Sequence, residues 1–91
     1  MTAADLRKDL KTKKPILGSE RTIKELKTGN LNKIYLSSNC KESTKKDILH
    51  YAKLADVQVI ELGETNEDLG IICKKPFNIS IISFWLKRYI N

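Results

Sequence analysis

Gly18-Ser19-Glu20-Arg21 and Lys24 have the residue types and spacing of a seat for an anion or a polar base edge. They follow the apolar run Pro15-Ile16-Leu17 and open a stretch of helix formers, Thr22 to Thr28. A glycine at that junction can take a positive φ and lets another molecule come close to the backbone. Ser19 is placed to cap the helix, whose first N–H groups are unpaired and carry the positive end of the dipole. Two further polar loops carry an asparagine each, Asn39 in Ser38-Asn39-Cys40 and Asn66 in Thr65-Asn66-Glu67. An amide both donates and accepts, so it suits a base edge, although Asn39 also reads as a strand end and Asn66 as part of a helix cap. Covalent chemistry has less support. Cys40 and Cys73 are 33 positions apart and read as free thiols, with no histidine or carboxylate pair placed to activate either. The single histidine, His50, sits with Lys46 and Lys53 on a polar helix face. With no CxxC, there is no ligand set for a metal and none for a cofactor.

These residues need a scaffold, and the apolar periodicity supplies one. Thr2 to Lys14 reads as a helix with Ala3, Leu6 and Leu10 on one face, started by Thr2 with Asp5 and stopped by Pro15. Ile16-Leu17 is a short strand, and Ser19–Thr28 a helix with Ile23 and Leu26 inward, ended by Gly29-Asn30. Lys33–Ser37 is continuous enough to be a central strand covered on both faces. A helix from Glu42 or Ser43 to Ala55 buries Ile48, Leu49, Ala52 and Ala55. Val57–Leu62 is a third strand, and Thr65 with Asp68 starts a helix that ends before Lys75-Pro76, Cys73 being placed in the core. Ile79–Phe84 is the last strand, and Trp85–Asn91 a short tail, helical or frayed. The alternation α-β-α-β-α-β-α-β implies an α/β fold, a four-stranded parallel or mixed sheet with helices on both faces. Ligands of such sheets gather beyond the carboxyl ends of the strands, which here are the loops Gly18–Arg21, Ser38–Cys40 and Gly63–Glu67.

Ninety-one residues with 41% hydrophobic content form one domain with a modest core. The net charge of +6 suits a polyanionic partner. That charge is concentrated at the front: residues 1–33 hold nine Lys/Arg against four Asp/Glu, and residues 57–91 four of each. No apolar run approaches the length of a signal peptide core or a membrane span.

The ordered blocks Gly18…Thr22-Ile23-Lys24…Gly29, Ile34–Asn39, Ile48–Leu54, Asn66–Gly70 and Phe77 with Ile79–Ser83 resemble the large-subunit ribosomal protein thirty-e family of archaea and eukaryotes. That family lies within a superfamily of kink-turn RNA binders, and the resemblance covers about residues 6–84. It implies a three-layer α/β/α sandwich and a non-catalytic RNA-binding protein of cytoplasmic ribosomes, monomeric outside them. Its partners would be a kink-turn in ribosomal RNA and neighbouring large-subunit proteins. Carried over by position, Gly18 would allow close backbone approach, Lys24 would meet phosphate, and Asn39 and Asn66 would hydrogen-bond RNA, with Ser19 in the same RNA-binding set. Phe77 and Ile79 would pack against a splayed nucleotide, with Phe77 partly exposed, and Arg21 is added by charge and place. Glu20 departs from the family pattern, which has a basic residue or an amide there. It either turns away onto the helix surface or accepts from a guanine edge. A kink-turn subunit of another ribonucleoprotein and a protein-interaction module are the alternatives.

Overall fold

The computed structural model describes residues 3–85, so the expected Thr2 cap and the chain after Trp85 lie outside the described residues. Eight elements alternate: α1 (Ala3–Thr12), β1 (Pro15–Leu17), α2 (Ser19–Thr28), β2 (Leu31–Leu36), α3 (Glu42–Ala55), β3 (Gln58–Glu61), α4 (Asn66–Ile72) and β4 (Ile81–Trp85). The four strands form one sheet in the order β1-β4-β2-β3. Only β2 and β3 are parallel; β4 runs antiparallel to both of its neighbours, β1 and β2. The sheet is therefore mixed. β4 enters between β1 and β2 from the opposite direction, which leaves β1, β2 and β3 pointing the same way.

Period-two alternation divides the sheet's side chains between two cores. Tyr35, Ile60, Ile82 and Phe84 face Leu6 of α1 and Leu69 of α4. Ile34, Leu36, Ile16 and Ile81 face Leu26 of α2 and Ile48 and Ala52 of α3. These two cores make a three-layer α/β/α sandwich. Ile34, Tyr35 and Leu36 are each fully buried, as a central strand covered on both faces requires. Burying a side chain of this size stabilises the fold by roughly 1.5–3 kcal/mol. Pro15 does more than stop α1. It opens β1, where an edge strand tolerates its missing N–H, and pairs with Phe84.

Four expectations about burial and the last strand need correcting. Leu49 is 42% exposed. The buried face of α3, centred on Ile48 and Ala52, turns toward α2, where Lys27 lies over the half-buried Tyr51 ring at 5.3 Å. Leu49 is about 100° round the helix from Ile48 on the other flank, away from α2. Cys73 is at the half-buried margin of the α1/α4 core rather than within it. β4 begins at Ile81 instead of Ile79, because the Ile79 N–H donates to the Asn66 carbonyl at 2.9 Å and not to a neighbouring strand. Trp85 is the last residue of β4 and not the start of a tail.

Three helices end in the same hydrogen-bonded turn, closed by a left-handed residue. That residue is Gly29 after α2 (φ 73°), Asp56 after α3 (φ 57°) and Lys74 after α4 (φ 58°). After α4 the Lys74 N–H reaches the Ile71 carbonyl at 3.0 Å and the Lys75 N–H the Gly70 carbonyl at 2.9 Å.

Candidate RNA interface

Because β1, β2 and β3 run in one direction, their carboxyl ends share one edge of the sheet with the start of β4. The helices α2, α3 and α4 all begin there. An open hollow of about 610 Å³ occupies this edge. Its lining includes Gly18, Ser19, Asn39, Asn66, Phe77 and Ile79, drawn from all three expected loops and from the turn before β4. Glu20, Arg21 and Lys24 are not in the lining; they are exposed on α2 beside it. For Glu20 this is a first-turn position, where a carboxylate interacts favourably with the helix dipole.

The glycine turn is fixed from within the sheet. Gly18 has φ 100°, and nothing lies within 4 Å of where its Cβ would be. A side chain there would be strained by the backbone rather than crowded, and the free space is open to a partner. The Gly18 N–H donates to the Ile81 carbonyl at 3.2 Å, and its own carbonyl accepts from the Thr22 hydroxyl at 2.7 Å. Thr22 Oγ1 in turn lies 3.0 Å from Ser83 Oγ of β4, both residues being fully buried. Ser19 does not cap α2: Gly18 holds the cap position and no side-chain oxygen takes the cap bond. The first turn of α2 is therefore without a side-chain cap, as at anion-binding helix starts.

The two asparagines form a clamp across 27 residues. Asn39 Nδ2 donates to Asn66 Oδ1 at 3.0 Å, and the Asn66 backbone N–H donates to Asn39 Oδ1 at 2.9 Å. The clamp ties the loop after β2 to the start of α4, which also has the expected capping box between Thr65 and Asp68. It does not exhaust either amide. One N–H of Asn39 and both side-chain N–H groups of Asn66 have no partner among the described residues, and both oxygens keep a lone pair.

Phe77 is 54% exposed, so its ring offers an apolar face at the rim. Ile79 is 3% exposed and belongs to the α1/α4 core, so it can contribute only floor. The turn holding Phe77 is pressed against α4 at Gly70, where a Cβ would collide with the Phe77 carbonyl. In the sequence Gly70 stands out only as the end of the block Asn66–Gly70. Lys41, Thr44, Asn78 and Ser80 also line the hollow and were missed. Lys41 is the one charged residue in the lining among the described residues, and its place two residues after Asn39 is the signal that points to it. Burial pushes the Cys40 and Cys73 thiols above their ordinary pKa, the reverse of what a nucleophile needs. Among the described residues no cluster of three or more His, Cys, Asp or Glu could hold a metal, and no helix is long and apolar enough to cross a membrane.

Residues 2–87 match the model of the Ribosomal protein L7Ae/L30e/S12e/Gadd45 family. The chain belongs to this family. Among its curated relatives is the large ribosomal subunit protein eL30 of Saccharolobus solfataricus, 42% identical over 79 residues, 87% of this chain and 73% of that one. The protein of the same name from Methanothermobacter thermautotrophicus is 42% identical over 67 residues, covering 74% of this chain and 68% of that one. A solved structure of a protein with unknown function from Bacillus halodurans superposes with a TM-score of 0.73 over 81% of this chain and 73% of its own. At 23% identity it supports the fold alone. The chain is thus a homologue of archaeal eL30, a non-enzymatic ribosomal protein of an RNA-binding family.

Proposed function

We propose that the chain is a structural component of the large ribosomal subunit that binds a kink-turn in ribosomal RNA through the edge hollow. The carrying observation is the gathering of Gly18, Ser19, Asn39, Asn66 and Phe77, from four separate segments, around one open hollow. The division of labour follows from chemistry. Arg21 and Lys24, beside the hollow, neutralise phosphates of the flanking helix, aided by the unpaired N–H groups at the start of α2. The unused amide hydrogens of Asn39 and Asn66 meet acceptors on exposed base edges, which a sharp bend presents and a straight duplex hides. Phe77 takes the face of an unstacked base, worth roughly 1–3 kcal/mol, while Ile79 supports the floor. Glu20 stays on the helix surface. Neighbouring large-subunit proteins would be the other partners, and the chain would be a monomer outside the ribosome.

The test is a titration of the full chain with a kink-turn RNA and a straight duplex of equal length at moderate salt. Tighter binding of the kink-turn, with affinity falling steeply as salt rises, is expected. Equal affinity for both would remove the shape-readout reading.

A further inference from the structure

A second hollow, of about 560 Å³, lies between α1 and the C-terminal end of α4, away from the carboxyl edge of the sheet. Its floor is apolar, from Leu10, Pro15 and Ile72, and its rim carries Arg7, Lys11, Lys74 and Lys75, with no carboxylate in the lining among the described residues. We propose that this groove is a second RNA surface, which receives the backbone and an unstacked base of an unpaired strand leaving the kinked site. The inference rests on reading the edge hollow as the kink-turn site.

Three observations support it. The first is charge complementarity. Arg7 and Lys11 are one helical turn apart on α1 and face Lys74 and Lys75 across the groove, a spacing that suits successive phosphates. Asp9, the acid between Arg7 and Lys11 in sequence, is already engaged by Lys33, Lys13 and the Tyr35 hydroxyl. Residues 86–91 add Lys87 and Arg88 and no acidic side chain, so their charge does not complement this rim.

The second is continuity. Lys75 lines the groove and Phe77 lines the edge hollow, two residues or about 7 Å of chain apart. A strand leaving the Phe77 ring crosses Pro76 and arrives at the cationic rim.

The third is the residue chosen at position 74. Of the three helix ends closed by a left-handed residue, one uses glycine and one aspartate, the types that tolerate this conformation. The one beside the groove uses lysine, for which the backbone gives no reason. The lysine thus sets a charge at this rim in a conformation that its side chain does not favour.

The experiment uses the full chain and three RNAs that share one minimal kink-turn: one blunt, one with an unpaired 5′ extension and one with an unpaired 3′ extension. One extension is expected to tighten binding about tenfold at moderate salt. Lys74→Gly/Lys75→Ala should abolish that gain, with blunt RNA affected no more than about threefold and the salt slope of the extended complex falling by about 1.4. Lys46→Ala/Lys53→Ala, which removes equal charge from the outer face of α3, should keep the gain. Lys74→Gly alone should hold or raise the melting temperature while weakening the gain, a pairing that a purely structural lysine would not produce. No gain from either extension, or a gain that survives Lys74→Gly/Lys75→Ala, overturns the groove. Equal binding of blunt kink-turn and straight duplex overturns the edge hollow itself, and the groove with it.

Discussion

At the residue scale, the candidate site separates side chains that face a partner from those that hold the site's shape. Phe77 is in the first group. With more than half of its surface exposed, Phe77→Ala removes little packing, so the melting temperature should stay within about 2 °C while RNA affinity falls by roughly 1–3 kcal/mol. A large drop in melting with unchanged affinity would make the ring structural. Asn39 belongs to both groups, because its oxygen holds the start of α4 and its remaining N–H faces out. Asn39→Ala should therefore lower stability by about 1 kcal/mol as well as affinity, and Asn39→Asp separates the two roles. The carboxylate still accepts from the Asn66 N–H but has no amide hydrogen to donate, so melting should recover more than binding. Ser37 behaves differently again. Its buried hydroxyl has no hydrogen-bond partner among the described residues, so Ser37→Ala should be neutral or stabilising, by up to about 1 kcal/mol in a urea titration.

At the element scale, the site depends on how closely the 73–78 turn packs on α4, and Gly70 controls that distance. A Cβ at Gly70 meets backbone at Phe77 and Asn78, which cannot move aside as a flexible side chain would. Gly70→Ala should cost about 1–3 kcal/mol through overpacking and, by displacing Phe77, weaken RNA binding more than Phe77→Ala does. Binding unchanged in a folded Gly70→Ala would mean that the turn does not set the ring's position. The elements themselves were largely legible in the sequence. Apolar spacing, Pro15, Gly29 and the Thr65–Asp68 box mark boundaries through local backbone and capping energetics, which act within a few residues. The misplacements have non-local causes. Ile79 leaves the strand because the distant Asn66 carbonyl takes its N–H, and Leu49 is exposed because α3 leans toward α2. The lining residues Gly18, Asn39 and Asn66 were found from loop position and family resemblance together. Gly70 and Lys41 escaped because what matters about them, a backbone pressed against a helix and a rim shared with another loop, exists only after folding.

At the scale of the whole molecule, Asp9 ties α1 to the sheet through a polar contact set against a largely apolar layer. Asp9 Oδ2 accepts from the Tyr35 hydroxyl at 2.8 Å and from Lys33 Nζ at 2.7 Å, and Oδ1 lies 3.6 Å from Lys13 Nζ. Burial on its own raises the Asp9 pKa, but the hydrogen bonds from Lys33 and Tyr35, with both lysine charges, outweigh it and hold the carboxyl below its ordinary value. Tyr35 is shifted the other way, its phenol held neutral by burial and by the adjacent Asp9. The signs give two limbs. A depressed carboxyl contributes stability that is present above its unfolded value and is lost as pH falls through the folded one, so the acid limb opens below about pH 4. A raised phenol contributes stability that is present below its unfolded value and is lost as pH climbs, so the alkaline limb opens above about pH 10. Urea titrations across both ranges should show Tyr35→Phe flattening the alkaline limb while leaving most of the acid limb, and Asp9→Asn flattening the acid limb. Asp9→Asn should also destabilise the protein at neutral pH, because Lys33, only 14% exposed, loses its counter-charge. An acid limb of full size in Asp9→Asn would place the titrating carboxylate elsewhere.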